Sequence, residues 1–169
     1  MNRGGAMLTS LQQGDVWESW LSSEVRANYF ADLAGRYQRK QQFITLGILL
    51  MSSGTFVTLL TDWLPPEYKL ARPALAFIAA ALSFWSLLAK NERNAIECSD
   101  LFFQWSVLGR EFKELWGDMY DESAAVKLKL LLTKSDELSR RCTNLPNKPR
   151  LILKWEDYVV QQHQNKLAA

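Results

Sequence analysis

The sequence predicts an all-α fold: a two-helix transmembrane hairpin with an N-terminal amphipathic helix before it and C-terminal cytoplasmic antiparallel helices after it. Three observations predict this. Two apolar runs, 43–61 and 73–89, hold no ionisable side chain, and the polar loop 62–72 joins them. Each run is close to the length that crosses a hydrocarbon core of roughly 30 Å at about 1.5 Å per residue. The flanking segments carry tryptophan, leucine and alanine at helical spacing, with charge on their other faces. In a soluble chain of 169 residues, two helices apolar on all sides would find little core to enter. The chain therefore divides into 1–42, a cytoplasmic leader and amphipathic helix; 43–89, the hairpin; and 90–169, a cytoplasmic helical region.

A mean hydropathy of −0.16 conceals this segregation. The net charge of +2 is equally uninformative, so the distribution of charge matters more. Arg36, Arg39 and Lys40 precede the first run, and Lys90 and Arg93 follow the second. The loop balances Asp62 and Glu67 against Lys69 and Arg72. The positive-inside bias then places both termini in the cytoplasm, with 62–72 outside. Trp63 and Tyr68 suit the outer interface, and Trp85 the inner one. Cys98 and Cys142 fall on the reducing side, where no structural disulfide is expected. With one histidine, His163, and no CxxC, no metal or other cofactor is expected.

In chain order, 1–14 lacks apolar periodicity and is expected to be a loose leader. Asp15 and Glu18 have capping-box spacing and predict the first helix start. From there Trp17, Trp20, Leu21, Ala27, Ala31 and Ala34 recur helically. This helix either continues into the first run or bends near Gly35. Trp17, Trp20 and Tyr29 suit packing on the chain's own helices, with lipid headgroups as the alternative. In the first run Gly47, Gly54, Thr58 and Thr61 share a face, Ser52 and Thr45 lie on another, and Thr55 lies between. In the second, Ala76, Ala80 and Ser83 are spaced small-xxx-small. Such residues serve close packing of membrane helices, and in an oligomer the hydroxyls could line a water path. Neither run contains an intramembrane charge, which argues against a proton relay or pump.

Pro65 and Pro66 end the first helix, and Pro73 suits the first turn of the second. After Ala89 no residue is expected to break the helix. Cys98, then Leu101, Trp105, Leu108, Phe112, Leu115 and Met119, form a heptad-like seam. The opposite face is acidic, with Glu97, Asp100, Glu111, Glu114 and Asp118. Gly117 and the turn at 121–123 end it. A basic helix follows, with Leu128, Leu131, Leu138 and Cys142 on a matching seam. The two helices suit an antiparallel pair, and self-association through the same seam is the competing use. After the stop at 145–149, residues 151–162 predict a last amphipathic helix through Ile152, Trp155 and Val159, or the start of a strand at 151–153. The basic C-terminal third suits a solvated face near anionic lipid.

No phosphate-binding loop, nucleophile elbow or zinc-protease motif occurs, and the acidic residues are spaced as a solvated face. An enzyme is therefore not expected. Direct nucleic-acid binding is not expected either, since no aromatic–basic repeat or RNA-binding motif is present.

The segment 29–40 (YFADLAGRYQRK), two tight apolar runs and the Trp- and Leu-bearing stretch 90–119 together resemble the SLATT-type two-transmembrane effectors of bacterial antiviral defence systems. The resemblance extends over 15–142 and is one of layout. Two-transmembrane retron effectors share that layout, and the residues do not separate the two groups. The resemblance implies a toxic effector of the bacterial inner membrane, paired with a cyclic-oligonucleotide synthase or a retron, that depolarises the membrane during abortive infection. Two helices per chain cannot enclose water, so a homo-oligomer of at least about four chains is implied for a pore. Ser52, Thr55 and Thr58 are the lining candidates, and Gly47 and Gly54 the packing candidates. The competing expectation is a non-conducting anchor whose cytoplasmic helices recruit a soluble partner. A sensor of a small ligand, with its pocket between those helices, is a third.

Overall fold

A computed structural model of the chain describes residues 8–53 and 71–168. The described backbone is helical, with no strand among these residues. The helices are α1 (Ser10–Ser52), α2 (Ala71–Leu88), α3 (Asn91–Gly117), α4 (Ala124–Arg141) and α5 (Pro149–Ala168), and a 3-10 turn, Cys142–Asn144, follows α4. Two compact units result. A helical body combines residues 8–33 with 97–168, and a second unit covers Ala34–Ile96.

The start of α1 corrects the sequence expectation. Residues 9–14 are not a leader, and Asp15 and Glu18 do not cap. Thr9 does so instead. The Thr9 backbone N–H donates to Gln12 Oε1 at 2.9 Å, and Gln12 N–H donates to Thr9 Oγ1 at 3.3 Å. This reciprocal pair is a T-x-x-Q capping box. Leu8 is buried just before it, so the segment is anchored to the core. Once begun, α1 runs unbroken past Gly35. Arg39 Nε donates to the Gly35 carbonyl at 3.3 Å within that helix.

The face that α1 buries in the body is Val16, Trp20, Ser23, Ala27 and Phe30, spaced by four and three residues. Of the expected stripe, Trp20, Ala27 and Ala34 are buried, Trp17 and Leu21 are half-buried, and Ala31 is exposed. Ser23 escapes an apolar scan but tolerates burial because its Oγ donates to the Ser19 carbonyl at 2.7 Å. On α3 the predicted seam is the core itself. Cys98, Leu101, Trp105, Leu108, Phe112 and Leu115 are each at most 2% exposed. At about 1.5–3 kcal/mol per large apolar side chain, this stripe is a leading contributor to the body's stability. Met119 lies beyond the helix in the 118–123 turn and is half-buried.

Contacts fix the directions of the helices. Along α1 and α3, Trp17 meets Trp116 (ring centroids 5.4 Å apart), Ser23 faces Gly109, and the Arg26 guanidinium lies 4.6 Å from the centre of the Trp105 ring. The rising and falling numbers make the pair antiparallel. Gly109 permits the close approach, since a Cβ there would stand 3.5 Å from that of Ser23. Helices α3 and α4 are antiparallel as well, and the predicted complementary charges meet. Lys134 Nζ bonds both Glu111 oxygens (2.9 and 2.8 Å), and Arg141 bonds Asp100 and Gln104 (each 2.7 Å). Such exposed pairs are worth about 0–1 kcal/mol each, so they set register more than stability. Of the two uses open for the seam, the structure shows the one within the chain. Helix α5 lies antiparallel to α1, with Lys154 near Asp32 (3.6 Å) and His163 near Glu24 (2.8 Å). The strand alternative at 151–153 is overturned, because Pro149 opens a helix at the position where its missing N–H costs nothing.

In the second unit, α1 and α2 run side by side and antiparallel. Gln41 Nε2 donates to Ser86 Oγ at 3.1 Å, and a Cβ on Gly47 would meet Leu82 at 3.8 Å. Among the described residues no helix is long and apolar enough to cross a membrane. With 18 residues, α2 measures about 27 Å at 1.5 Å per residue. The first apolar run continues beyond residue 53, outside the described residues. The chain also does not pass from α2 to α3 as one helix. Lys90 adopts a left-handed conformation with φ 47° and separates them, a correction to the unbroken helix expected after Ala89. No sequence signal marks it, since glycine or asparagine is the usual occupant of that conformation.

Candidate functional site

The body contains a cavity of about 710 Å³ between α1, the end of α4 with its following turn, and α5. Its origin is a mismatch of partners. Helix α4 is drawn to α3 by its leucine seam and cations, whereas α5 docks on α1 through Val159 and His163. The space left between α4 and α5 is the cavity. One wall is apolar, from Leu21, Val25 and Phe30 of α1 facing Ile152, Val159 and Val160 of α5. The other end is polar, formed by Arg26, Tyr29, Ser139 and Asn147, with the exposed Glu156 also on the lining.

Tyr29 holds that end together. Its hydroxyl donates to the Pro146 carbonyl at 2.8 Å and accepts the Lys148 backbone N–H at 3.3 Å. Burial pushes the phenol pKa up, partly offset by the Lys148 bond. Arg26 is half-buried, stacked on Trp105, and donates to Ser139 Oγ. It forms no ion pair with a carboxylate among the described residues, whereas Glu111 and Asp100 outside the cavity are paired.

Cys142 lines the cavity and donates its S–H to the Leu138 carbonyl at 3.0 Å. Burial pushes its pKa up, with a smaller opposing pull from the Trp105 indole. Trp105 Nε1 itself is buried with no hydrogen-bond partner among the described residues. Cys98 is fully buried, and its thiol is pushed up to about 11, mainly by burial. Both cysteines are free, and both thiols are held protonated at neutral pH, the opposite of an activated nucleophile. Among the described residues no three histidine, cysteine, aspartate or glutamate side chains are grouped to hold a metal ion.

His163 of α5 turns toward α1. It is 7% exposed, packed edge-on to Trp17 and Trp20, and bonded through Nε2 to Glu24. The other oxygen of Glu24 accepts Trp20 Nε1 at 2.8 Å, so one carboxylate ties α1 to α5. The clue is positional, since His163 follows Val159 by one helical turn.

The pore candidates are less well covered. Gly47 lies in α1 facing Leu82, Ser52 is the last residue of α1, and Ala76, Ala80 and Ser83 lie in α2. Ala80 is exposed and Ser83 half-buried. Gly54, Thr55 and Thr58, and the loop 62–70, lie outside the described residues. The topology charges Arg36, Arg39, Lys40, Lys90 and Arg93 are all exposed. The cavity residues Arg26, Ser139 and Asn147 carry no sequence signal that groups them. They belong to three separate elements, and no local spacing connects them.

No family model matches this chain, and neither a curated protein nor a solved structure matches it.

Proposed function

We propose that the chain is an effector of the bacterial inner membrane, its second unit inserted as a hairpin with both termini cytoplasmic. In this reading several copies assemble and depolarise the membrane when an infection-sensing partner, such as a cyclic-nucleotide synthase or a retron, triggers them. One observation carries the membrane part. The second unit turns its large apolar side chains outward, with Phe43 73%, Phe77 76%, Phe84 65% and Trp85 63% exposed. Leu46, Leu49, Leu50 and Ile78 are exposed as well. Exposed apolar surface on this scale is costly in water and favourable against lipid. The exposed cations Arg36, Arg39, Lys40, Lys90 and Arg93 gather at the open end of the hairpin, where headgroups and the cytoplasmic bias favour them.

A second reading, a non-conducting anchor that recruits a soluble partner, draws support from the α3 seam. That seam is consumed inside one body, so it offers no surface for assembly in this conformation. Exchanging 43–89 for an unrelated hairpin of equal length separates the two. Under the effector reading, the exchange abolishes the loss of voltage-sensitive dye signal that follows triggering, with insertion intact. Retention of full activity by the exchanged chain would overturn that reading in favour of the anchor.

A further inference from the structure

We infer that the cavity of the helical body is a binding site for a single-chain amphiphile bearing one negative charge, a long-chain carboxylate. The inference does not depend on the membrane reading, because the cavity lies wholly within the body. Its volume of about 710 Å³ falls in the range of small-molecule sites, whose usual composition is apolar walls with a few convergent polar groups.

Each part of the ligand follows from the lining. Leu21, Val25 and Phe30 on one side and Ile152, Val159 and Val160 on the other form a slot that rewards an aliphatic body. Arg26 supplies the charge selection. A half-buried guanidinium beside apolar walls, without a carboxylate partner among the described residues, gains most from an anion that completes its hydrogen bonding. Trp105 against its face and Ser139 on one of its N–H groups fix the plane of the fork, along whose edge a carboxylate binds. Asn147 also lines the cavity, and its side-chain amide can donate to the same anion.

The charge count decides against a polyanion. Among the described residues Arg26 is the sole cation on the lining, and Glu156 opposes it. A nucleotide or cyclic dinucleotide would bring several charges to a site with no net positive charge, and would leave phosphate oxygens against leucine and valine. A carboxylate with an alkyl chain matches both the lone cation and the apolar wall. A free fatty acid and a membrane-derived lysophospholipid share the chain-plus-anion chemistry, and the inference commits to the carboxylate.

The test is equilibrium dialysis of radiolabelled dodecanoate against the full chain in nanodiscs of zwitterionic lipid, with empty discs subtracted. If the chain stays out of the discs, the membrane reading fails and the same dialysis is run in solution. Saturation near one dodecanoate per chain is expected, with at least tenfold weaker binding of dodecanol and at least tenfold weakening by Arg26→Gln. Val160→Trp enters the slot from an exposed position on α5 and should block binding without touching Arg26. Arg26→Lys should retain more affinity than Arg26→Gln. Lysophosphatidylglycerol should compete more weakly than unlabelled dodecanoate. Equal binding of dodecanol, indifference to both Arg26→Gln and Val160→Trp, displacement by ATP, or stronger competition by the lysolipid would each overturn the inference.

Discussion

Removing the Tyr29 hydroxyl is the sharpest probe of how the body closes its cavity. That single oxygen both donates to Pro146 and accepts from Lys148, so it joins α1 to the connection between α4 and α5. Tyr29→Phe keeps the ring, which is 5% exposed and edge-on to Phe30 at 5.0 Å, so packing is retained. What is lost is two hydrogen bonds at about 0.5–1.5 kcal/mol each. Pro146 is exposed and its carbonyl can recover water, which holds the expected total to about 1.5 kcal/mol. For a chain of this size that corresponds to about 3–6 °C in Tm. The assay is thermal unfolding of the full chain in detergent, followed through tryptophan fluorescence, since Trp105 is buried in the same body. A shift below about 1 °C would refute the claim that Tyr29 secures the 145–148 connection.

Other perturbations test separate parts of the fold. Thr9→Ala should destabilise by about 1 kcal/mol and Gly14→Ala should stabilise by about 0.5–1 kcal/mol, because Gly14 lies inside α1 with open space around it; no effect of either would return 9–14 to a loose leader. Lys90→Gly should stabilise by about 1 kcal/mol by relieving the left-handed backbone, whereas Lys90→Val should destabilise, both read by thermal unfolding. Phe112→Ala should cost about 3–5 kcal/mol in unfolding without altering subunit number, and a change in oligomeric state with little change in stability would restore the seam to contacts between chains. Cys98 makes stability pH-dependent at the alkaline end. Its thiol is raised from its ordinary value of 9.0 to about 11, so the unfolded chain loses its proton first. The stabilisation is present below pH 9 and is lost between 9 and 11, by about 3 kcal/mol for a shift of this size. Cys98→Ala should flatten this alkaline decline in unfolding titrations.

The pairing of α3 with α4 was legible because three signals coincide. Apolar residues from Leu101 to Leu115 recur every three or four positions, Leu128, Leu131 and Leu138 answer them, and acid on one helix faces base on the other. Local periodicity and charge speak together only when a helix pairs with its neighbour in sequence. The features that escaped were of other kinds. The Thr9–Gln12 box is hard to read because its neighbours lack apolar period, and the left-handed Lys90 has no compositional mark. Ser23 and His163 are polar residues buried through hydrogen bonds to Ser19 and Glu24, which a hydrophobic scan discards. The cavity arises from α4 and α5 choosing different partners. Such a space is a property of tertiary arrangement, and no single stretch of sequence encodes it.

The surroundings of the second unit can be measured directly by spin-label accessibility at Phe77, the most exposed large apolar residue described in α2. In a Cys142→Ser background, where the remaining Cys98 is fully buried, Phe77→Cys is labelled in the full chain reconstituted in lipid vesicles. Val126→Cys, 75% exposed on the body, serves as the reference. Position 77 should collide readily with oxygen and poorly with a water-soluble nickel chelate, and position 126 should show the reverse. Equal nickel accessibility at the two positions would place α2 in water and contradict the membrane hairpin.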